Sequence, residues 1–359
     1  MSTHHGMAIA GRPIGAAHPV YVIAEMSANH NQDFDQAERI VRAAKDAGAD
    51  AIKVQTYTPD TITIDSQAAP FRIKGTLWEG RNLYDLYKEA YTPWEWQPRL
   101  KRLADELGLA FFSSPFDPTA VDFLEMLEVP AYKVASFELV DLPLIRKMAA
   151  TGKPLIMSTG MATLGEIEEA VGAARGAGAR ELALLKCTSA YPALPGGMNL
   201  RSIPHLAATF GVPAGLSDHT LGIEIPMAAV ALGACIVEKH FTLARELGGP
   251  DAAFSLEPPE FKAMVVAVRN AQAALGEPRF GPGPEEVKSL AFRRSLFVVK
   301  DMHAGETFTP ENVRSIRPSD GLHTRYYEDI LGRRAAADLP FGTPLAWHHV
   351  VPVPEKIAP

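Results

Sequence analysis

The sequence predicts an α/β protein, in which a (β/α)8 barrel of the TIM type is followed by a small β-rich domain. Two observations support this prediction. Short apolar runs rich in strand-forming residues alternate with amphipathic segments of helical period, and eight such pairs fill roughly the first 275 of the 359 residues. No Gly-x-Gly-x-x-Gly motif follows the first run, which disfavours a dinucleotide-binding sheet.

The eight predicted strands are the segments 20–27, 51–57, 109–115, 131–136, 154–160, 182–188, 214–219 and 235–241. Their near-continuous apolar character indicates parallel strands that are covered on both faces. The intervening segments, such as FDQAERIVRAAKDAG and LGEIEEAVGAARGAG, repeat apolar residues every three or four positions and end at glycine, as helices do. Eight strand–helix units in this length fit a closed barrel better than an open doubly wound sheet.

Composition predicts where the domains begin and end. The barrel is expected to span residues 1–277, and the Gly- and Pro-rich segment 278–292 is expected to be a linker. Residues 293–359 contain short β-like runs between turn signals, which indicates a small C-terminal domain. The interval between the second and third strands is aromatic-rich and too long for a simple loop, and long ordered loops of this kind are usually functional.

Charge and cysteine content exclude several classes of function. A net charge of -7 argues against nucleic acid or an anionic membrane as partner, because either would require a basic face. No apolar run approaches the ~20 residues of a membrane span, and the first residues lack a secretory signal pattern, so we expect a cytoplasmic protein. The two cysteines, Cys187 and Cys235, lie in apolar runs and are predicted to be buried thiols.

Polar residues that core packing does not require stand at or just after the ends of the predicted strands. They are Glu25, Asn29, His30, Lys53, Gln55, Ser113, Ser114, Lys133, Ser136, Glu138, Ser158, Lys186, Thr188, Ser189, Ser217, Asp218, His219, Glu238, Lys239 and His240. In a (β/α)8 barrel the C-terminal strand ends converge on one mouth, where active sites lie. The pattern therefore predicts a polar active site at that mouth.

His219 and His240 end two neighbouring strands, which would lie ~4.8 Å apart. The two imidazoles can therefore share a metal ion, with Glu25, Glu238 or Asp251 completing or orienting its shell. Imidazole with carboxylate and water suits Mn, Fe, Co or Zn better than Ca. The alternative is a pair of histidines that hydrogen-bonds the substrate.

Several lysines at the same mouth indicate an anionic substrate with more than one charge, such as a phosphate together with a carboxylate. The serines at the strand ends add short hydroxyl donors that suit phosphate oxygens. A Schiff-base lysine is the rival interpretation. It requires a lysine with a depressed pKa, whereas lysines around a dianion are expected to stay charged.

The chain also carries a series of longer motifs, in the order IAEMSANH, DAIKVQTYTPDT, YKVASFE, STGMAT, LKCTSAYP, GLSDHTLG and VALGACIVEKHF. Together they resemble the sialic acid synthase family, to which the N-acetylneuraminate synthases belong. The segment SLFVVKDMHAGETFTPENVRSIRPSDGL resembles the family's antifreeze-like (SAF) domain, a β-clip fold. The segment FRIKGTLWEGRNLYDLYKEAYTPWEW resembles a branch whose substrate is 2,4-diacetamido-2,4,6-trideoxy-L-altrose.

The resemblance implies a reaction and the residues that perform it. Phosphoenolpyruvate would condense with the open-chain aldehyde of an acetamido sugar, assisted by a divalent ion, Mn2+ in preference to Mg2+ or Co2+, held by His219 and His240. Glu25 and Glu138 match the family's acid–base and sugar-positioning carboxylates. The positions matching its substrate-binding residues are Lys53, Gln55, Ser114, Lys133, Ser136, Ser158, Ser189, Tyr191, Ser217 and Asp251. Ser189 departs from the pattern, because neuraminate synthases commonly have Asn there.

Arg317, in the sequence SIRPSDG, matches the SAF-domain arginine that enters the active site of a partner subunit. The resemblance thus implies a domain-swapped homodimer in which Arg317 completes the neighbouring site. Other functions remain open at this point. They are N-acetylneuraminate or legionaminic acid synthesis, a Schiff-base pyruvate aldolase, and a non-catalytic sugar-binding protein.

Overall fold

In a computed structural model, residues 6–352 are described, and the chain divides into two compact units, Met1–Gly276 and Glu277–Pro359. Eight parallel strands of the first unit close into a barrel. These strands are β3 (Tyr21–Glu25), β4 (Ala51–Thr56), β5 (Ala110–Pro115), β6 (Tyr132–Val134), β7 (Leu155–Ser158), β8 (Leu182–Cys187), β9 (Ala214–Asp218) and β10 (Ile236–His240), preceded by the hairpin β1 (Met7–Ile9) and β2 (Arg12–Ile14). Each barrel strand pairs with the next, and β10 also pairs with β3. The predicted eight-stranded barrel is confirmed.

Helices connect the barrel strands and cover them. The helices of this unit are α1 (Phe34–Asp46), α2 (Pro59–Ile62), α3 (Leu83–Ala90), α4 (Gln97–Leu107), α5 (Pro118–Met126), α6 (Leu142–Ala150), α7 (Leu164–Gly176), α8 (Ser202–Phe210), α9 (Glu224–Ala231) and α10 (Pro258–Leu275). Local sequence explains their ends. Asp33 caps α1 by accepting from the backbone N–H groups of Asp35 and Gln36, and Gly108 ends α4 in the left-handed region with φ 66°.

The register of the parallel strands brings polar residues from distant parts of the chain side by side. Glu25 on β3 is in register with His240 on β10 and with Lys53 on β4. Because side chains alternate along a strand, in-register neighbours point to the same face. The strand ends of β10, β3 and β4 therefore present an imidazole, a carboxylate and an ammonium group as one row.

Two local features differ from the expectations. The hairpin of β1 and β2 was not anticipated from the sequence, although Met7, Ile9 and Ile14 are all buried in the barrel core. Strand β6 is also shorter than predicted, because the chain leaves the strand after Val134 and forms a short 3-10 turn over Ser136–Glu138.

The long interval between β4 and β5 is ordered. It contains α2, α3 and two 3-10 turns, Ala69–Phe71 and Trp94–Trp96. We refer to residues 57–96 as the excursion.

The second unit has its own small core, formed by residues such as Leu296, Phe308 and Ile330. Its strands β11 (Ser295–Val298) and β12 (Val313–Ile316) pair in antiparallel fashion, and up to residue 352 it contains one short helix, α11 (Tyr327–Ile330). Isolated β-bridges connect much of its remaining chain. This architecture agrees with the predicted small β-rich domain.

Both cysteines are buried free thiols, as predicted. Among the helices that the structure describes, none combines the length and the apolar character that crossing a membrane requires.

Candidate active site

Lys53 is the centre of a buried charge cluster at the barrel mouth. Its ammonium nitrogen lies 2.7 Å from Glu25 Oε2 and 3.7 Å from Glu238 Oε1, and it donates a hydrogen bond to Ser114 Oγ at 3.3 Å. Burial by itself would lower the pKa of Lys53, but Glu238 and Glu25 raise it above its ordinary value. Lys53 is therefore charged at neutral pH.

The two carboxylates around Lys53 have different environments. Burial raises the pKa of Glu25, although Lys53 opposes that rise, and Gln55 Nε2 donates to Glu25 Oε1 at 3.0 Å. The pKa of Glu238 is lowered, because Lys133 and Lys53 outweigh its burial. Ser217 donates to Glu238 Oε1 at 3.2 Å. Glu238 is thus the more firmly ionised of the pair.

Lys133 occupies the adjoining part of the mouth. Its ammonium group donates to Ser158 Oγ at 2.6 Å and to the Val134 carbonyl at 3.0 Å, and it lies 3.9 Å from Glu238 Oε1. Burial lowers the pKa of Lys133 below its ordinary value, against the opposing effect of Glu238. An incoming dianion would raise this pKa again.

Ser136 and Ser189 converge on Gly160. The backbone N–H of Gly160 donates to Ser136 Oγ at 3.2 Å. A Cβ atom placed on Gly160 would stand 2.3 Å from Ser189 Oγ and 2.7 Å from Ser136 Oγ, so any other residue here would displace both hydroxyl groups. Glycine at 160 therefore allows two hydroxyl groups from different loops to lie close to the same backbone position, an arrangement suited to anion oxygens.

The two histidines are neighbours, as predicted, with ring centroids 5.3 Å apart. His219 Nδ1 lies 3.0 Å from the Thr188 carbonyl, which fixes the orientation of the ring. Burial, and after it the charge of the neighbouring His219, lowers the pKa of His240 well below its ordinary value, so His240 is neutral. Its Nδ1 is buried and has no hydrogen-bond partner within residues 6–352; the nearest acid, Asp251, is 3.9 Å away.

Asp251 connects the histidines to the carboxylate cluster. The Ser27 hydroxyl donates to Asp251 Oδ2, and Gln55 Nε2 donates to Ser27 Oγ at 2.8 Å. Burial raises the pKa of Asp251. Ser27 was not among the predicted site residues, although its position two residues after Glu25 and its positive φ of 45° distinguish it.

Glu138 lies in the 3-10 turn after β6. Its Oε2 is buried without a hydrogen-bond partner in the part of the chain that the structure describes. Burial, partly opposed by Lys133, raises the pKa of Glu138 to about 7. Such a carboxyl group can either donate or accept a proton near neutral pH.

Tyr191 lies against the histidines. Its ring centroid is 4.4 Å from that of His219 and 5.1 Å from that of Phe254, and Phe254 also packs on His240 at 4.9 Å. Phe254 is a further component of the mouth that the sequence pattern did not single out.

Some of the predicted polar residues lie outside this arrangement. Asn29 and His30 are buried in structural hydrogen bonds: Asn29 with the Phe241 carbonyl and His30 with Thr92. Arg317 is exposed in the second unit, and within the described residues its guanidinium makes no hydrogen bond or ion pair. No cluster of three or more His, Cys, Asp and Glu residues in residues 6–352 is arranged to hold a metal ion.

Fold and site together define a TIM-barrel protein whose mouth gathers lysines, carboxylates, hydroxyls and two imidazoles. Residues 40–279 match the NeuB family and residues 293–351 match the SAF domain. The chain belongs to the NeuB family, which confirms the predicted resemblance to sialic acid synthases.

Relatives of known name are similar in sequence to this protein over most of its length. The pseudaminic acid synthase of Helicobacter pylori is 48% identical over 91% of this chain and 97% of its own length. The pseudaminic acid synthase of Campylobacter jejuni 81-176 is 46% identical over 91% and 95%. A crystal structure of N-acetylneuraminic acid synthetase from Leptospira borgpetersenii superposes with a TM-score of 0.70 at 33% identity, covering 80% of this chain and 96% of that one.

Proposed function

We propose that this enzyme is a pseudaminic acid synthase, a transferase that condenses phosphoenolpyruvate with 2,4-diacetamido-2,4,6-trideoxy-L-altrose. The observation that carries the proposal is the identity of 46–48% to relatives of that name over 91% of the chain. Relatives named N,N'-diacetyllegionaminic acid synthase are more distant, at 36–38%. Since phosphoenolpyruvate is a cytoplasmic metabolite, the proposal implies a cytoplasmic reaction.

The reaction forms one carbon–carbon bond and releases phosphate. C3 of phosphoenolpyruvate attacks the aldehyde carbon of the open-chain sugar, and the aldehyde oxygen takes a proton to become a hydroxyl. Water adds at C2, and phosphate leaves by cleavage of the C–O bond. The step therefore needs an anion site, a proton source and a positioned water.

The lysines and serines provide the anion site of this proposal. Lys133, with Ser158 at 2.6 Å, and the hydroxyl groups of Ser136 and Ser189 around Gly160 suit a phosphate. Lys53 suits the carboxylate, because it stays charged and lies where the strand register aligns it with Glu25. With two separate cations, the phosphate and the carboxylate of phosphoenolpyruvate would each have a positive partner when they leave water.

Glu25 and Glu138 are the proton-handling groups of the proposal. Glu138, whose pKa is raised to about 7, can orient the attacking water and receive its proton. Glu25, held by Gln55 and Lys53, would face the sugar, and Gln55, Tyr191 and Asp251 would contact its hydroxyl or acetamido groups. These assignments rest on position and chemistry together.

A divalent ion fits the histidine pair. His219 and His240 would hold it, since His240 is neutral and its buried Nδ1 has no partner among the described residues. The family is metal-dependent, and Mn2+ suits imidazole with water and a carboxylate better than Mg2+, with Co2+ as an alternative. When bound, the ion supplies Lewis acidity to the aldehyde oxygen. Only two imidazoles from the protein leave coordination positions open for substrate and water.

One observation supports a second candidate function, a Schiff-base aldolase: burial lowers the pKa of Lys133. Borohydride treatment with pyruvate would trap a Lys133 adduct in that case. We expect no adduct, because the Lys133 ammonium already donates to Ser158 and Val134 and lies beside Glu238.

The decisive experiment is a substrate panel with phosphate release as readout. With Mn2+ and phosphoenolpyruvate, we expect the 2,4-diacetamido-2,4,6-trideoxy-altrose to be used at least tenfold more efficiently than N-acetylmannosamine or the legionaminic acid precursor. Stripping the enzyme with EDTA should abolish turnover, and Mn2+ should restore it. A preference for either other sugar would overturn the proposed substrate, and full activity of thoroughly stripped enzyme would overturn the metal role.

We further propose that the active site is shared in a domain-swapped homodimer. Arg317 is exposed on the small second unit and makes no ion pair within the described residues. The loops after β6, β7 and β8 expose apolar side chains at the barrel mouth, among them Phe137, Met161 and Leu194, which are 58%, 62% and 76% exposed. Such a rim, surrounding a charged site, suits coverage by the second unit of another copy.

Complementation tests this arrangement. Arg317→Ala and His240→Ala should each lose nearly all activity, whereas an equimolar mixture, after subunit exchange, should regain about a quarter of wild-type activity, because half of the dimers would carry one intact site. Arg314→Ala, at an exposed residue of β12 three positions before Arg317, is the control and should stay active. A mixture that stays inactive although exchange is demonstrated would contradict the shared site.

A further inference from the structure

The excursion contributes one aromatic residue, Trp78, to the barrel mouth. The Trp78 ring centroid lies 5.5 Å from that of Tyr191, and the Tyr191 centroid lies 4.4 Å from that of His219. His219 is in turn 5.3 Å from His240. Four rings from four separate segments therefore form a continuous row, which begins at the histidine pair and ends at Trp78.

Hydrogen bonds fix Trp78 in this place. Its indole N–H donates to the Pro250 carbonyl at 3.0 Å, immediately before Asp251. The turn that carries Trp78 is closed by backbone hydrogen bonds from Ile73 N to Arg81 O at 2.9 Å and from Gly80 N to Ile73 O at 3.0 Å. The backbone of the turn is therefore closed by its own hydrogen bonds, and the side chain is anchored by its indole N–H. Trp78 is not a freely moving surface residue.

The Trp78 ring presents an apolar surface. The only polar group of the indole is already used on Pro250, so the ring face offers a ligand no hydrogen-bonding partner. Leu77 beside it is 52% exposed, so the tip of the turn presents apolar surface that its own packing does not consume. A ligand group that lies here should be a methyl group or another apolar part.

The position of Trp78 along the row of rings indicates which part of the sugar would lie against it. In the proposed function, on which this inference rests, the aldehyde carbon lies at the histidine pair. A six-carbon sugar that extended from there along the row would direct its last carbon toward Trp78 at the far end. In the proposed substrate this carbon is a methyl group, whereas in common hexosamines it carries a hydroxyl group.

We propose that Trp78 is a specificity-determining residue that receives the sixth carbon of the sugar and favours 6-deoxy sugars over their 6-hydroxylated counterparts. A hydroxyl placed against the indole face loses its water without gaining a partner. Apolar walls discriminate modestly against an added hydroxyl, by about 10- to 100-fold, so a preference of that size is expected.

The test compares two sugars that differ at one atom, 2,4-diacetamido-2,4,6-trideoxy-altrose and its 6-hydroxy analogue. Wild-type enzyme should show kcat/KM at least tenfold higher for the 6-deoxy sugar. In Trp78→Ala this ratio should fall to about threefold or less, with KM for phosphoenolpyruvate unchanged. Trp78→Phe, which keeps an apolar ring but has no N–H, should retain most of the preference and guards against misfolding of the alanine variant.

Trp94 provides a matched control within the excursion. Its indole N–H also donates to a backbone carbonyl, that of Tyr57 at 3.0 Å, but its ring packs on Phe123. Trp94→Phe should leave the ratio unchanged. If Trp78→Ala lowers kcat/KM equally for both sugars and so leaves the ratio at the wild-type value, this inference is wrong while the proposed function stands. If wild-type enzyme releases phosphate with neither sugar, the proposed function itself fails.

Discussion

Replacing Lys239 with methionine is expected to lower the free energy of unfolding by about 3–5 kcal/mol, because it leaves the Asp218 carboxylate buried without its cation. Both side chains are fully buried, and the Lys239 ammonium lies 2.5 Å from Asp218 Oδ2. Lys239 also donates to the Thr220 carbonyl, and Asp218 accepts from the Thr220 N–H at 3.0 Å. Urea unfolding at neutral pH measures the loss.

Two variants separate this effect from a general cost of losing a lysine. Lys101→Met breaks an exposed pair with Asp105 of similar length, 2.7 Å, and should change stability by less than about 0.5 kcal/mol. The double variant Lys239→Met with Asp218→Leu should recover much of the loss, because no unpaired charge remains. A loss below about 1 kcal/mol in Lys239→Met would mean that Asp218 finds another partner.

The same pair shows that a position near a strand end does not by itself place a side chain in the site. Lys239 stands next to His240 and was grouped with the polar residues of the mouth. Side chains alternate along a strand, however, and Lys239 points away from the face that Glu238 and His240 share. It binds Asp218 and Thr220, the two residues that flank His219, from the opposite face of the strand. Lys239 therefore supports the position of His219 and does not itself line the site.

The barrel could be predicted because its signal is repetitive. Eight apolar runs with helical segments between them have few other solutions, and every predicted strand is present. The hairpin of β1 and β2 was missed, because two three-residue strands carry too little period-two pattern to stand out.

The sequence predicts which strand-end residues lie together in the site, but not the contacts between them. Strand ends converge in any such barrel, so Glu25, Lys53 and His240 could be placed together from the sequence. Ser27 and Gly160 could not, because their importance depends on distances across loops. The length and aromatic content of the excursion predict a functional role for it, whereas the contact of Trp78 with Tyr191 depends on tertiary structure.

Replacing Lys53 with methionine is expected to lower kcat/KM for phosphoenolpyruvate by about 10³-fold or more, since a preorganised charge in a desolvated site is worth several kcal/mol to an anionic transition state. Lys53 lies 2.7 Å from Glu25 and 3.7 Å from Glu238, so the substitution also leaves two buried carboxylates facing each other. Steady-state kinetics with phosphate release measures the first effect, and urea unfolding measures the second.

The double variant Lys53→Met with Glu25→Gln separates these two effects. Glutamine removes one of the opposed charges and keeps the contact with Gln55, so stability should return toward that of the wild type while activity stays lost. Recovery of both would mean that Lys53 only neutralises Glu25, that it does not hold the substrate, and that Glu25 does not handle a proton in the reaction. Lys101→Met again serves as the control, and it should change neither quantity because its partner Asp105 is 53% exposed. A Lys53→Met enzyme that keeps more than a tenth of its activity would place the substrate carboxylate elsewhere, and Lys133 would then be the cation to examine.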